Sequence, residues 1–591
     1  MTAETWPNLV TMFFDQAAAK GDTPFLWAKI DETYQDFSWS QAARTVEALA
    51  GGLKAAGIKG GDRIVLVSEN RPEWLMADMA IMAAGGISVP AYTTNTTADH
   101  IHILSDSGAI GVIVSNDRLA KSLIPAAEQV EGAKFIIGID SLSDTGTGSL
   151  QSHTWAATTG SEDKASTIRE QAQSLKRTDT ACIIYTSGTG GAPKGVLLSH
   201  GAILHNCTGA ADAIETLGLD GNVFLSFLPL SHSYEHMAGQ FFPVSIGAEI
   251  YYAEGVETLS TNMLEARPTI MTAVPRLYEM MHGRILAGVQ KAGGLKEKMF
   301  MGAVALGTKR FNDAASLSIC DRIKDAVLDK LVRNKVRDRF GGRLKALVSG
   351  GAPLNPDIGM FFTALGLTIL QGYGQTESAP LISVNRPGNV KMETVGPIIK
   401  NTEVKIADDG EILARGELLM QGYWGNEDAT KDTIINGWLH TGDIGEFGAD
   451  GHLKITDRKK DIIVNSGGDN LSPQRVEGIL CLEPEIGQAM VYGDKRPHLV
   501  GLIVADEGWL KSWVRENKKQ GDLTEDEDLL KELRSVVSRV NAKLSNIEKV
   551  RHIILAGESF TIDNEQMTPT MKTRRHKIKE VYGDALEDLY V

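Results

Sequence analysis

The 591-residue sequence predicts an α/β fold in two parts: a large amino-terminal domain of mostly parallel βα sheets over residues 1–457, and a small α+β domain over residues 458–591. Three observations lead there. Short β-branched runs alternate with helical patterns through the first half, the length exceeds what one ordinary core serves, and a charged stretch, Thr456-Asp-Arg-Lys-Lys-Asp461, separates two apolar runs.

The first repeats are plain. Ala42 to Ala56 has small and apolar residues at helical spacing, and Gly60-Gly61-Asp62 turns into the strand run Arg63 to Val67. Pro72 to Ala84 reads as a helix ending at Gly85-Gly86, before Ile87 to Pro90 opens another strand. Ile110 to Val114, Lys134 to Gly138 and Ala181 to Tyr185 continue the pattern, while Asp140 to Ser174, rich in Ser, Thr and Gly, reads as a surface excursion.

After Arg276 the pattern turns helical and charged, predicting an insertion over about 283–340. Val327, Leu328, Leu331, Val332, Val336 and Phe340 would share one helix face. Lys324, Lys330, Arg333, Lys335 and Arg337 on the other face read as a solvated surface, with peripheral contact to anionic membrane lipid as the alternative. Further on, Gln488 to Tyr492 and Leu499 to Ala505 flank a Gly-Asp-Lys-Arg-Pro turn as a hairpin. Leu529, Leu533, Val536, Val540 and Leu544 mark the apolar face of a helix, and there is no internal repeat.

Bulk properties narrow the function. With 42% hydrophobic and 23% charged residues the composition is that of a globular protein, and a formal charge of −15 argues against a general nucleic-acid binder. Cys182, Cys207, Cys320 and Cys481 show no CxxC spacing, which fits a reducing cytoplasm and gives no zinc or disulfide framework. Met1 to Ala19 lacks a basic region followed by a cleavable apolar core, and no apolar run is long enough to span a bilayer.

The most telling stretch is Tyr185-Thr-Ser-Gly-Thr-Gly-Gly-Ala-Pro-Lys-Gly195. Its glycines let backbone N–H groups approach phosphate oxygens, Thr186, Ser187 and Thr189 can donate hydrogen bonds around Gly188, and Lys194 adds a compact charge. It is not a Walker A loop, because Pro193 precedes the lysine and Gly195 follows it. A flexible connector is the bland alternative for the loop alone. Six further segments follow: Pro229-Leu-Ser-His232, Ser349-Gly-Gly-Ala-Pro-Leu354, Gln371-Gly-Tyr-Gly-Gln-Thr-Glu377, Trp438-Leu-His-Thr-Gly-Asp443 with Arg458 and Lys460 beyond it, Ser466-Gly-Gly468, and Met567-Thr-Pro-Thr-Met-Lys572.

In that order these segments resemble the AMP-forming acyl-CoA synthetase, luciferase and peptide-synthetase adenylation family, over about Ser38 to Glu580. Val274-Pro-Arg-Leu-Tyr-Glu279, the helical insertion and Asp469-Asn-Leu-Ser-Pro473 make the chain most similar to the long-chain fatty acyl-CoA synthetases. The resemblance implies a mobile carboxy-terminal domain with a hinge near 458–461, at Lys460. It implies that Gly350, Gly351 and Ala352 line an adenine pocket together with Gln371, Tyr373 and Gly374, Tyr373 stacking on the base. Thr376 would bond the α-phosphate, Glu377 would hold Mg²⁺, and Asp443 and Arg458 would take the ribose. Gly467 and Gly468 would flank the pantetheine arm of coenzyme A. Lys572 would be the catalytic lysine of adenylation, and His232 would stand beside the acyl pocket.

His236 departs from the family, some of whose long-chain members carry an aromatic gate there. From the sequence it divides evenly between pocket lining and packing. The implied reaction is ATP-dependent activation of a long-chain fatty acid through an acyl-adenylate to acyl-CoA. The alternatives are an acyl-AMP ligase loading a carrier protein, for which no carrier domain follows before Val591, an aryl or short-chain CoA ligase, and a non-catalytic binding protein that has kept this scaffold.

Overall fold

A computed structural model describes residues 3–143, 150–160, 167–186, 192–467, 469–568 and 573–590. Among these, two eight-stranded sheets dominate the amino-terminal part. In the first, the strands 24–30, 249–252, 223–226, 270–273, 346–349 and 369–374 lie side by side in parallel, flanked at the two edges by the antiparallel strands Thr33–Ser38 and Leu381–Val384.

The second sheet runs 422–423, 194–199, 180–186, 87–90, 63–67, 111–114, 135–138 and 151–154, parallel from 180–186 onward. Its strands alternate sides, as pleated strands must. Ile64 and Leu66 point into one core cluster, Val65 and Val67 into another. The first of these clusters also takes Phe224, Ile250 and Ile270 from the other sheet, together with the helices Leu9–Lys20, Trp39–Ala55, Pro72–Ala83 and His200–Ile214. These helices therefore lie between the two sheets, which explains why Pro72–Ala83 is buried all round except at Glu73. Leu225 and Met271, on the outer side of the first sheet, pack with the helices Leu259–Ala266, Pro275–Ala292 and Pro356–Ala364.

Local signals set the helix ends. Ser38 and Gln41 form a reciprocal capping box on Trp39–Ala55, and Pro72 opens the next helix where no side chain caps it. The excursion before the phosphate loop departs from expectation, since Gln151–Thr154 adds an edge strand beside Phe135–Gly138.

A smaller antiparallel sheet, Glu403–Ile406, Glu411–Arg415, Trp438–Phe447 and Ile434–Ile435 with Leu453–Arg458 beside it, follows the large body. The carboxy-terminal part is α+β. Its hairpin, Ile486–Tyr492 and Leu499–Ala505, gains Val550–Leu555 in parallel. Leu499 and Ile503 face the helix Glu527–Asn541, while Val500, Leu502 and Val504 face Arg575–Glu587.

The insertion corrects one expected face. Val332 and Val336 pack inward and Phe340 is buried, but Val327 and Leu331 are exposed. Leu331, exposed, and Val332, turned inward, are neighbours in the π-helical turn Asp329–Arg333; the six positions spread over more of the helix circumference than one buried face covers. Arg333, expected in solvent, is fully buried. Its guanidinium donates to the carbonyls of Ala303 (2.7 Å) and Ala364 (2.7 Å) and to Asp325 Oδ1 (2.6 Å), so the buried charge is paired and its donors are used.

Candidate active site

The antiparallel pair Thr180–Thr186 and Lys194–Ser199 has Thr186 opposite Lys194, so the glycine-rich loop is the connection between these strands. Ser187, Gly188 and Thr189 lie outside the described residues. Lys194 Nζ stands 4.9 Å from the ring centroid of Tyr423, and the Tyr423 hydroxyl donates to Glu377 Oε1 at 2.8 Å. Burial, and after it the Glu377 charge, pushes the Tyr423 phenol above its ordinary range, so it stays protonated and remains a donor. One side chain thus ties the phosphate-loop lysine to the expected metal carboxylate.

Thr376 and Glu377 sit on the 3₁₀ turn Thr376–Ser378, directly after the strand Ile369–Gly374. Thr376 Oγ1 lies 2.9 Å from Ser233 Oγ, one hydroxyl donating to the other, which brings the His232 segment to the same place. His232 Nδ1 accepts the Tyr234 N–H at 3.2 Å, capping the short turn that follows. Gly374 has no room for a side chain: a Cβ there would fall 1.7 Å from the Pro380 carbonyl oxygen.

Gly350, Gly351 and Ala352 follow the strand Ala346–Ser349, whose Ser349 pairs with Gln371 of the neighbouring strand. The Tyr234 hydroxyl donates to the Val348 carbonyl at 2.9 Å, and a Cβ on Gly350 would lie 3.1 Å from that ring. Tyr373 donates its hydroxyl to Asp443 Oδ2 at 2.7 Å, and Arg458 Nε lies 3.3 Å from Asp443 Oδ1. The last contact follows from register, since Asp443 and Arg458 are cross-strand partners. Burial first, then the Asp443 charge, holds the Tyr373 phenol well above its usual value. A neutral aromatic ring, a carboxylate and a guanidinium therefore meet beside the two-glycine turn.

Lys460 is exposed in a turn where Asp461 and Ile462 donate their N–H groups to the Arg458 carbonyl. Its neighbour Lys459 binds Asp409 (2.7 Å) and Glu411 (3.1 Å). Gly467 donates its N–H to Asn465 Oδ1 at 2.9 Å; Gly468 and Lys572 lie outside the described residues, and Met567 and Thr573 form an antiparallel bridge.

His236 stands against the helix Pro72–Ala83. It is buried, 2.8 Å from Asp78 Oδ2, which also accepts from Gln240 Nε2 at 2.9 Å, and Trp74 and Phe241 pack edge-on against its ring. Tyr423 and Ser233 are the site residues that the sequence reading missed. Tyr423 had a signal in the turn-like Gln421-Gly-Tyr-Trp-Gly425, but nothing in the sequence gives its partner.

Glu377 is the kind of group that suits Mg²⁺, a hard cation usually held by one or two carboxylates and substrate phosphates. No cluster of three or more His, Cys, Asp or Glu able to hold a metal occurs among the described residues, so a protein-only cage is not offered there.

Comparison with known proteins settles the family. Residues 13–424 match the model of the AMP-binding enzyme, and residues 460–591 that of the AMP-binding enzyme C-terminal domain. The chain belongs to the AMP-binding acyl-CoA synthetase family. It is 33% identical over 591 residues to the long-chain-fatty-acid–CoA ligase FadD15 of Mycobacterium tuberculosis, covering 99% of this chain and 97% of that one. It is 31% identical to the peroxisomal long chain acyl-CoA synthetase 6 of Arabidopsis thaliana, covering 95% and 83%. Among solved structures, the adenylation domain of a carboxylate reductase from Mycobacterium chelonae superposes with a TM-score of 0.78 at 20% identity, covering 100% of this chain and 92% of that one. The synthetase fold is thus shared well beyond close sequence similarity.

Proposed function

We propose that this synthetase activates a long-chain fatty acid with ATP and passes the acyl group to coenzyme A. The observation that carries the reading is the meeting of Tyr373, Asp443 and Arg458 beside the Thr376–Glu377 turn, with Lys194 reached through Tyr423. Asp443, an acceptor-only group, suits a vicinal ribose diol. Tyr373 would stack on adenine against the Gly350–Ala352 turn. Thr376 would donate to the α-phosphate, and Glu377 would hold Mg²⁺, which when bound neutralises phosphate charge.

The fatty acid carboxylate oxygen attacks the α-phosphorus, and the bond to pyrophosphate breaks. Lys572 is the group proposed to stabilise the charge that develops there. The carboxy-terminal part then turns about the 458–461 hinge at Lys460, bringing Gly467 and Gly468 to the site. The coenzyme A sulfur, its proton lost, attacks the acyl carbon and AMP leaves. His232 is assigned to the acyl pocket, since its neighbour Ser233 touches Thr376. The relatives named long-chain ligases support the fatty-acid substrate. The need for ATP and coenzyme A supports a cytoplasmic setting.

The test is pyrophosphate release across a panel of carboxylic acids, with and without coenzyme A. Turnover with long-chain acids that needs coenzyme A supports the reading. Preference for aromatic or two-carbon acids, or acyl transfer only to a carrier protein, overturns it.

A further inference from the structure

The segment that carries Gly467 is pinned to a neighbouring turn. Lys495 donates its N–H to the Val464 carbonyl at 2.7 Å, Ser466 donates to the Arg496 carbonyl at 3.0 Å, and the Val464 N–H reaches Asp494 Oδ1 at 3.2 Å. Asn465 closes the other side, its Oδ1 accepting the N–H groups of Gly467 and Asp469, both at 2.9 Å. The turn between the hairpin strands Ile486–Tyr492 and Leu499–Ala505 therefore sets where Ser466 and Gly467 lie.

That turn is itself held from a third direction. The Tyr590 hydroxyl lies 3.0 Å from the Tyr492 carbonyl and 2.9 Å from the His498 carbonyl, sharing its proton between the two residues at the mouth of the turn. Arg496, whose carbonyl takes the Ser466 N–H, pairs its guanidinium with Glu587 and stands 5.2 Å from the centroid of the Tyr590 ring. Glu587 also accepts from the Tyr492 hydroxyl.

Glu587 and Tyr590 come from the helix Arg575–Glu587 and the short turn after it. This helix begins three residues beyond Lys572, packs Ile578 and Leu586 with Val500, Leu502 and Val504, and brings its far end to the hairpin turn. Its 13 residues, at 1.5 Å each, put about 20 Å between its two ends. A change at Glu587 or Tyr590 is thus remote from the start of the helix and close to the glycine segment. The Arg496 and Glu587 side chains are 42% and 35% exposed, and such a pair adds little to global stability. What it fixes is local, the opening of one turn.

We propose that Glu587 and Tyr590, acting through Arg496, are positioning residues for the thioester-forming step: they hold the hairpin turn so that Ser466 and Gly467 are ordered when the pantetheine arm of coenzyme A arrives. The proposal rests on the reading of Gly467 and Gly468 as the residues that flank that arm.

Hydrogen exchange on the ligand-free full chain reads the turn directly. In Glu587→Ala and in Tyr590→Phe, peptides covering 464–466 and 494–496 are expected to exchange about tenfold faster, with the thermal melt little changed. Single-turnover kinetics then separate the half-reactions. Acyl-adenylate formation is expected to stay within about twofold of wild type, while conversion of supplied acyl-AMP falls about 5- to 20-fold, mostly through a higher KM for coenzyme A. Arg496→Ala should give the same split, and combining it with Glu587→Ala should add nothing further. Unchanged exchange in both variants would overturn the brace whatever the reaction proves to be. Faster exchange with undiminished thioester formation, or an equal fall in both half-reactions, would overturn the positioning role. Gly467→Val is the control: if it forms thioester at the normal rate, the glycine reading fails and the proposal fails with it.

Discussion

Replacing Tyr423 by phenylalanine removes one oxygen and with it the hydrogen bond to Glu377 Oε1 at 2.8 Å, while the ring that Lys194 approaches at 4.9 Å stays. A hydrogen bond to an ionised group contributes about 1.5–3 kcal/mol. Tyr423 is half-buried, which favours the lower part of that range, about 1.5–2 kcal/mol. At about 1.4 kcal/mol per decade this is a fall of roughly 10- to 30-fold in kcat/KM for ATP. Alanine also removes the cation–π contact, about 0.5–1 kcal/mol, and should cost roughly two- to fivefold more. The assay is pyrophosphate release with Mg²⁺ titrated at fixed ATP, each variant checked by its melt. The phenylalanine variant should need more Mg²⁺. If it matched wild type, or if its defect equalled that of alanine with an unchanged Mg²⁺ requirement, Tyr423 would not be what holds Glu377 in place.

Lys572→Ala should slow acyl-adenylate formation by orders of magnitude, as for a preorganised charge of roughly 3–5 kcal/mol at the transition state, yet spare conversion of supplied acyl-AMP to thioester; equal loss of both half-reactions would refute its role. Lys460→Pro fixes φ near −65° and should spare adenylation while blocking thioester formation; normal rates of both steps would remove the hinge from Lys460. Glu235 is fully buried and burial pushes its carboxyl up to about 7, so between its unfolded value near 4.5 and 7 the folded state keeps a proton the unfolded chain has lost, and stability falls as pH rises through that window by about 3 kcal/mol. Glu235→Gln should flatten this dependence in urea melts at pH 5 and 8, and an unchanged slope would contradict it. His236→Ala leaves the buried Asp78 with Gln240 as its remaining donor and should destabilise by about 1–3 kcal/mol in the same melts, and an unchanged melt would contradict the packing role.

What the sequence made legible was local. Arg63–Val67 and Ile87–Pro90 are short runs rich in β-branched residues that follow a Gly-Gly pair, the mark of strands buried on both faces, and both form where the pattern places them. Gln151–Thr154 was hidden because a polar edge strand carries no such run. The inward and outward halves of the insertion stripe could not be told apart, since its three- and four-residue steps cover more than one helix face and only packing decides which part is covered. In the site, the paired positions of Asp443 and Arg458 came from motif order, whereas the Tyr423–Glu377 bond joins residues 46 apart across two sheets and depends on packing alone.

The most direct test is a single-turnover reaction of the enzyme with MgATP and a long-chain fatty acid, without coenzyme A, quenched and read by mass spectrometry. An acyl-adenylate should form with one pyrophosphate released per adenylate, and adding coenzyme A should convert it to acyl-CoA and AMP. Formation of ADP and an acyl phosphate, or of no acylated nucleotide at all by folded protein, would contradict adenylation as the chemistry of this site.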